Sequence, residues 1–318
     1  MKISKFWICA VALVILAFLT TRFVTNEFYL RLTYTVLQFV VLASAWNILG
    51  GNAGYVNFGA AAFFAMGTYS AALLIKSFDA PMLVQIIAAA VIAGAIGFLT
   101  GILTLRLRGI FFSIATVALS IILETIITNS EYLGGAKGLQ FERPAASSLF
   151  HSYPAQLFFV MACLAVGAVA IARYVENSWI GRGLRAIRDN EEAAECTGVP
   201  TLKLKLIATT LCGALMGVAG APYAMLVQFI EPASAFNLNY SVSALAMPII
   251  GGTSSWLGPV IGAILLGTVQ QVVTVTLSSE LNVLILGVLL VFFVVAAPEG
   301  ILGLVRKLRA SRAKGGSK

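Results

Sequence analysis

The sequence has little charge and few of the residues that build catalytic or metal-binding sites. Only 11% of its 318 residues are charged, four are cysteine, and the single histidine is His151. One histidine cannot supply the histidine–carboxylate cluster of a metalloenzyme. Cys9, Cys163 and Cys212 lie in apolar runs and Cys196 lies in a charged segment, which predicts neither a disulfide nor a metal site.

Nucleotide-binding motifs are also missing. The stretches LGGAKGLQ and AKGGSK lack both the spacing and the final hydroxyl residue of a G-x-x-x-x-G-K-[ST] phosphate loop. We therefore expect no catalytic residues, no metal and no cofactor. The chain itself is expected to perform no chemistry.

Long apolar runs make up most of the chain. Hydrophobic residues account for 59% of the sequence and the mean hydropathy is +0.95, against about 45–50% apolar residues in ordinary soluble domains. Since about 20 apolar residues cross a bilayer as a helix, we predict an all-α, polytopic helical membrane protein with about 10 transmembrane helices, one or two of them short or broken. The predicted spans are 6–21, 33–49, 58–75, 82–105, 109–128, 154–172, 206–227, 240–252, 258–277 and 281–297. We interpret the first as an uncleaved signal anchor, because it ends in AFLTTRF without an A-x-A cleavage pattern.

Positive charge is distributed unevenly along the chain. Most of the 21 Lys and Arg residues precede the first span, lie in residues 173–205 or lie in the tail 306–318. Cytoplasmic segments of membrane proteins collect Lys and Arg, which places both termini and the loop 173–205 in the cytoplasm. An even number of crossings must then follow residue 205. The short span 240–252, which contains Pro248, must therefore cross the membrane or form a broken helix that serves the same purpose.

The same distribution explains the net charge of +8 without a nucleic-acid partner. We expect one transmembrane domain over residues 1–305 and a basic cytoplasmic tail over 306–318 that lies against anionic membrane lipid. The spans contain few ionisable residues, which argues against a proton-driven carrier.

One short segment, GRGLRAIRDNEEAAECTGVP at residues 181–200, is dense in charge. Arg185 and Arg188 are each followed four positions later by an acidic residue, Asp189 and Glu192, opposite an apolar edge, which favours an amphipathic helix at the membrane surface. The small pair Ala193–Ala194, flanked by charge and followed by Gly198, suits a surface that docks into a groove of another protein. The alternative is a solvated helix that only fixes topology.

Two glycine-rich, uncharged segments interrupt the apolar pattern: NILGGNAGYVNFG at 47–59 and PIIGGTSSWLGP at 248–259. Non-helical backbone at membrane depth must be buried in protein or line a watery cavity, and paired glycine-interrupted helices are typical of transport paths. The residues predicted on a translocation path are Asn52, Asn57, Thr253 and Ser254. The alternative for each is a buried packing turn.

Several segments resemble one family of transporters. RAIRDNEEAAECTGV resembles the EAA-type loop of ABC importer permeases. The segments AWNILGGNAGYVNFGAAAFFAMGTYSAALL, LRGIFFSIATVALSIILETIITN, LGGAKGL, GVAGAPYA, ALAMPIIGGTSSWLGPVIGA and APEGILGLVR resemble, in the same order, those of LivM-type permeases of branched-chain amino-acid ABC importers. The resemblance covers about residues 35–308.

This resemblance implies a function and a set of partners. The chain would be the permease subunit of a binding-protein-dependent importer in the bacterial inner membrane and would form the path for branched-chain or similar amino acids. A sister permease, two ATP-binding cassette subunits and a periplasmic substrate-binding protein would complete the complex. The residues implied in coupling to the ATPase are Arg185, Arg188, Asp189, Glu191, Glu192, Ala193, Ala194 and Gly198.

Departures from the family pattern leave the substrate open. The family often has a histidine where this chain has Ala60, and it commonly has L-G-S-x-x-G where this chain has TSSWLG at 253–258. Permeases for urea, amides or sugars are related and stay as alternatives. An ATP-independent carrier or channel is a further one.

Overall fold

Helices make up most of the structure, a computed structural model that describes residues 3–24, 26–104, 107, 109–141, 149–276, 279–297, 299–304 and 306. The helices are α1 (Ile3–Phe23), α2 (Glu27–Ala53), α3 (Ala60–Phe78), α4 (Met82–Thr104), α5 (Ile110–Thr128), α6 (Tyr153–Asn177), α7 (Trp179–Asp189), α8 (Glu191–Cys196), α9 (Thr201–Val227), α10 (Pro232–Ala235), α11 (Leu238–Gly251), α12 (Leu257–Thr276) and α13 (Ser279–Ala296). Two short strands are β1 (Leu139–Gln140) and β2 (Phe229–Ile230). Apart from Arg306, the predicted tail 306–318 lies outside the described residues.

Long apolar helices occupy the predicted spans. Among the described residues, 8 helices are long and apolar enough to cross a membrane. The prediction of an all-α polytopic membrane protein is therefore confirmed. Of the other two predicted spans, α11 has only 14 residues with Pro248 inside it, and α13 contains the shorter apolar stretch Leu284–Phe293.

The helices at the centre of the molecule bury their large apolar side chains, whereas those at its outside expose them. In α2 and α3, Trp46 is 2% exposed and Phe63 is 0% exposed. By contrast, α1, α4 and α5 expose large apolar side chains, among them Ile8, Leu83 and Ile110. Large contiguous apolar surfaces are rare on soluble monomers, so these outer helices present surfaces suited to contact with lipid or with another membrane protein.

Glycine lets α4 and α9 pack backbone against backbone. A Cβ atom on Gly213 would lie 2.6 Å from the carbonyl oxygen of Ala93, and one on Gly97 would lie 2.7 Å from that of Thr209. Contacts this short leave no room for a side chain. The G-x-x-x-G spacings in these two helices therefore serve close helix packing.

Between α2 and α3 the chain runs back into the helix bundle. α2 ends at Ala53 and is capped by Gly54, whose φ of 76° is left-handed, and residues 55–59 are not helical. The indole Nε1 of Trp46 donates to the carbonyl of Asn57 at 2.8 Å. Asn57 therefore lies level with a residue about two helical turns before the end of α2. We call residues 54–59 the re-entrant segment.

Side chains of α5 and α11 satisfy the backbone of this segment and of the start of α3. The Phe58 N–H donates to Thr116 Oγ1 at 3.1 Å. Ser241 Oγ donates to the Phe58 carbonyl at 2.6 Å and accepts from the Ala61 N–H at 2.9 Å. These bonds allow non-helical backbone to lie among transmembrane helices.

A two-stranded antiparallel ribbon joins the α5–α6 connection to the α9–α10 connection. Leu139 pairs with Ile230, and Gln140 pairs with Phe229. Leu139 is 1% and Ile230 is 2% exposed, so the inner face of the ribbon is anchored in the core. The two connections therefore lie at the same end of the bundle.

Candidate functional site

The charge-dense segment forms two helices. The expected amphipathic helix is α7, which buries Leu184 and Ile187, but it ends at Asp189, and its expected continuation toward Glu195 was wrong. α7 begins after Ser178, whose hydroxyl caps its first turn at 3.4 Å, and α8 begins after Asn190. The Asn190 side chain accepts from the Ala193 N–H at 3.1 Å. An asparagine that caps a new helix competes with continuation of the previous one. Arg188 and Glu192 therefore lie on different helices.

The α7–α8 pair has a buried face and an exposed face. Leu184 is 0%, Ile187 is 4% and Ala194 is 4% exposed, so this face packs in the core. The predicted coupling residues at the surface are Arg185, Arg188, Asp189, Glu192, Ala193 and Gly198, and Glu191 is half-buried. Gly198 has a φ of +83° and open space where a Cβ would stand. The exposed residues present a charged surface to the surroundings.

Two arginines hold α7 against the ends of other helices. Arg188 Nη1 donates to the carbonyl of Gly51 at 2.7 Å, close to the end of α2. Arg185 Nη1 donates to the carbonyl of Glu176 in α6 at 3.1 Å. A Cβ on Gly54 would lie 3.2 Å from Arg188 Cγ, so α7 also packs on the start of the re-entrant segment.

A buried ion pair ties α8 to α9 and to the re-entrant segment. Lys205 Nζ donates to Glu191 Oε1 at 2.6 Å, and the Tyr55 hydroxyl donates to Glu191 Oε2 at 2.6 Å. Lys205 Nζ also donates to the Tyr55 hydroxyl at 3.2 Å. The Lys205 side chain is 3% exposed and that of Glu191 is 14% exposed. Displacing α8 must therefore move Tyr55 or break the bonds of this Tyr55–Glu191–Lys205 cluster.

Sequence reasoning identified Glu191 but missed Tyr55 and Lys205. Lys205 could have been identified from its position directly before the apolar run of α9. A charge at the edge of hydrocarbon needs a partner. Tyr55 carries no comparable signal, since its contact with Glu191 joins residues separated by 136 positions.

The predicted path residues lie in two separate places. Asn52 is 7% exposed and donates within α2 at 3.2 Å. Asn57 is 2% exposed and is hydrogen-bonded within its own segment. Thr253 is half-buried and Ser254 is exposed, both in the turn between α11 and α12. No hydrogen bond joins the two pairs within the described residues, and their place on a path stays a prediction.

A polar cavity of about 270 Å³ lies among α2, α9, α11, α12 and α13, and none of its lining residues is charged. Its polar lining consists of Thr35, Gln38, Tyr223, Asn239, Tyr240, Ser243, Gln270, Gln271 and Thr274. Gln38 is 1% exposed, and its Oε1 has no hydrogen-bond partner in the described part of the chain. A buried acceptor of this kind is costly unless a ligand or water satisfies it. Uncharged donors and acceptors can bind both charged groups of a zwitterion, and they leave no buried charge in the cavity when the zwitterion is released.

Sequence reasoning missed this cavity because its residues are dispersed over several helices. The available signals were Gln38 in the middle of α2 and the pair Gln270–Gln271 in the apolar helix α12. Each amide is expensive in hydrocarbon unless it faces protein or a cavity. Their convergence depends on helix packing, which no local pattern reveals.

Similarity to known proteins extends over most of the chain. A family model described as branched-chain amino acid transport system, permease component, matches residues 28–294. The chain is 28% identical to the high-affinity branched-chain amino acid transport system permease protein LivM of Escherichia coli K12, over 96% of this chain and 77% of that protein. It is 23% identical to the corresponding permease protein LivH of Salmonella typhimurium, over 83% of this chain and 91% of that protein. It is 27% identical to the ribose import permease protein RbsC of Escherichia coli K12, over 63% of this chain and 64% of that protein.

Proposed function

This chain belongs to the family of branched-chain amino acid transport system permease components, and on that premise we propose that it forms, with a sister permease, the path by which these amino acids cross the membrane. It is a permease subunit of an ABC importer and a multi-pass protein of the bacterial inner membrane. A periplasmic binding protein delivers the amino acid. Two ATP-binding cassette subunits hydrolyse ATP on the cytoplasmic side.

The observation that carries this proposal is the connection between the α7–α8 pair and the re-entrant segment. The ATPase binds the exposed surface that contains Arg185, Asp189 and Glu192. Movement of α8 then passes through Glu191 to Tyr55 at 2.6 Å, and movement of α7 passes through Arg188 to the end of α2. Both connections reach residues 51–59, which lie among the transmembrane helices.

Ten crossings with both termini in the cytoplasm complete the proposal. Under this topology the α5–α6 and α9–α10 connections both lie outside, in agreement with the pairing of β1 and β2. The re-entrant segment and the loop 173–205 both lie inside, in agreement with the Tyr55–Glu191 hydrogen bond. The α11–α12 turn also lies inside, where the Trp256 N–H donates to Glu176 Oε2 at 2.6 Å.

We propose that the path runs through the polar cavity and then past the re-entrant segment and the turn between α11 and α12. The cavity lies beside the outer ends of α9 and α12 under the proposed topology, where an amino acid arrives from the binding protein. Gln38 and Gln270 offer hydrogen bonds to its carboxylate and ammonium groups, and such neutral contacts bind weakly enough for release. Asn52, Asn57, Thr253 and Ser254 lie nearer the cytoplasmic side, along the exit.

Reconstitution tests the proposed function. Proteoliposomes that contain the chain, the sister permease and both ATPase subunits, supplied with the loaded binding protein, should take up labelled leucine, isoleucine or valine only with ATP. The chain alone should transport none of them. Downhill uptake by the chain alone would contradict an ATP-driven importer and favour a carrier or channel.

Ribose and urea are the matched solute controls in the same vesicles. Ribose is included because the ribose import permease RbsC is 27% identical to this chain. ATP-driven uptake of ribose or urea, with no uptake of leucine, isoleucine or valine, would refute the branched-chain assignment and keep the importer class.

A further inference from the structure

An apolar groove lies between α1 and the body of the molecule, apart from the polar cavity. Its volume is about 460 Å³ and its walls come from α1, α2, α6 and α12. Small side chains open the space on both sides, with Ala10 and Ala17 on α1 facing Ala162 and Ala165 on α6. The lining has no charged residue and few polar ones, which makes it unsuitable as a path for amino acids.

The groove is long enough for a lipid acyl chain. It follows α1 from Phe6 to Thr20, a rise of about 20 Å for a helix of that length. One leaflet of a bilayer has a hydrocarbon thickness of about 15 Å. A chain lying along α1 would therefore be covered over the whole depth of its leaflet.

A basic, aromatic cavity of about 560 Å³ adjoins the groove, and Phe6 lines both. Arg173 and Arg182 line this second cavity together with Trp7, Tyr174 and Trp179. The Arg173 guanidinium carbon lies 4.2 Å from the centroid of the Phe6 ring and 5.5 Å from that of Trp256. Arg173 is thereby fixed where the apolar lining ends and the polar lining begins.

Two further features favour an anion in this second cavity. It includes the amino-terminal end of α7, where the N–H groups and the helix dipole favour negative charge. Glu176, a carboxylate on the same turn of α6 as Arg173, accepts from the backbone N–H of Trp256 at 2.6 Å, and Arg173 and Arg182 together outnumber it in charge. Tryptophan and tyrosine around the opening are typical of the headgroup level of a membrane.

We propose that this composite site binds an anionic phospholipid of the cytoplasmic leaflet, with an acyl chain in the apolar groove beside α1 and the phosphate at Arg173 and Arg182. The cavity lies at the same end of the bundle as the loop 173–205, where the surrounding leaflet carries anionic lipid. The apolar groove and the cationic opening match the two parts of one such molecule.

Tryptophan fluorescence quenching tests the proposal, because Trp7, Trp179 and Trp256 lie at the site and Trp46 is buried in the core. In a Trp7→Phe/Trp179→Phe background, Trp256 reports contact with the groove and Trp46 serves as the unquenched reference. The complete complex is placed in nanodiscs of phosphatidylcholine with increasing fractions of phosphatidylglycerol brominated on its acyl chain. Brominated phosphatidylcholine is the lipid control.

We expect brominated phosphatidylglycerol to quench Trp256 at a fraction about thirtyfold lower than the fraction of brominated phosphatidylcholine that gives the same quenching. Two basic residues near a membrane surface have an effect of this size. Arg173→Gln/Arg182→Gln should abolish this preference, and Arg173→Lys should keep most of it. Arg22→Gln, near the other end of α1 beside Phe18, is the matched control and should leave it unchanged. Ala10→Leu should fill the groove and weaken quenching by both lipids.

Three results would overturn the proposal. Equal quenching by the two lipids would identify ordinary surrounding lipid. A preference that survives in the double arginine variant would place the headgroup elsewhere. Quenching in the isolated chain that vanishes in the complete complex would show that a partner subunit covers the groove.

Discussion

The Tyr55–Glu191–Lys205 cluster gives the sharpest stability prediction. Lys205→Met leaves the Glu191 carboxylate without its cation in a site where it is 14% exposed, and Glu191→Gln leaves the Lys205 ammonium without its anion. Breaking a buried ion pair by removing one partner costs about 3–5 kcal/mol. Because Glu191 keeps some exposure, we expect each single variant to lower the free energy of unfolding by about 3 kcal/mol, the lower end of that range.

The double variant Lys205→Met/Glu191→Gln separates the pair from its surroundings. It leaves no uncompensated charge, and replacing both partners of a buried pair by neutral residues is often close to neutral. We expect a loss of about 1 kcal/mol, because the Tyr55 hydroxyl loses the bond from Lys205 and keeps a bond to a neutral acceptor at position 191. The double variant should therefore be more stable than either single variant.

Denaturant unfolding of the purified chain in detergent measures these differences. The matched control is the exposed pair Glu27–Arg31, whose charged atoms lie 3.8 Å apart with side chains 50% and 47% exposed. Arg31→Met should cost less than about 1 kcal/mol, since exposed pairs contribute little. If Lys205→Met is as mild as Arg31→Met, or if the double variant loses the sum of the two single losses, the cluster does not hold α8 to α9.

Three further predictions concern the interface with the ATPase and the path. Glu192→Lys should leave membrane insertion intact, because position 192 is exposed, but should abolish co-purification of the ATPase subunits and leucine uptake. Gly198→Trp should have the same effects, although the φ of +83° at Gly198 adds backbone strain that Glu192→Lys avoids; normal uptake with intact association in both would refute the docking role. Cysteines placed in a background without native cysteines at Asn52, Asn57, Thr253 or Ser254 should react with a small aqueous thiol reagent to different extents in resting and ATP-trapped complexes; no labelling in either state would make these residues packing turns. Gln38→Leu should lower the initial rate of leucine uptake about tenfold, the effect of about one hydrogen bond. The control Gln85→Leu, equally buried at 1% exposure but outside the cavity, should not lower it. Equal effects of the two variants would show that the cavity has no role in transport.

The spans were predictable because bilayer crossing is a local property of composition. A run of apolar residues is apolar in any fold, so α4 was predicted over 82–105 and observed as Met82–Thr104. The start of α2 was placed too late, at residue 33, because Asn26 caps the helix earlier by accepting from the Phe28 N–H at 3.0 Å. The charged residues Glu27 and Arg31 lower the local hydropathy of this first part of α2, so the apolar pattern begins only after them.

The functional geometry was less predictable because it depends on contacts between distant residues. The charge density around Glu192 predicted an exposed, charged surface, but the break at Asn190 depended on one capping bond that competes with helix continuation. The bond from Arg188 to Gly51 spans 137 positions, and the convergence of Gln38 with Gln270 requires two packed helices. Neither can be deduced from spacing along one element.

The most direct test of the coupling mechanism is the ratio of amino acid transported to ATP hydrolysed in the same proteoliposomes. Tyr55→Phe removes only the hydroxyl that bonds to Glu191 and Lys205. This hydroxyl lies away from the exposed surface that we propose binds the ATPase. We predict that this variant retains ATPase association and hydrolyses ATP, while leucine uptake per ATP falls about tenfold or more, because the charge-assisted hydrogen bonds to Glu191 and from Lys205 are both lost. An unchanged ratio in Tyr55→Phe, together with wild-type uptake, would contradict transmission through the re-entrant segment.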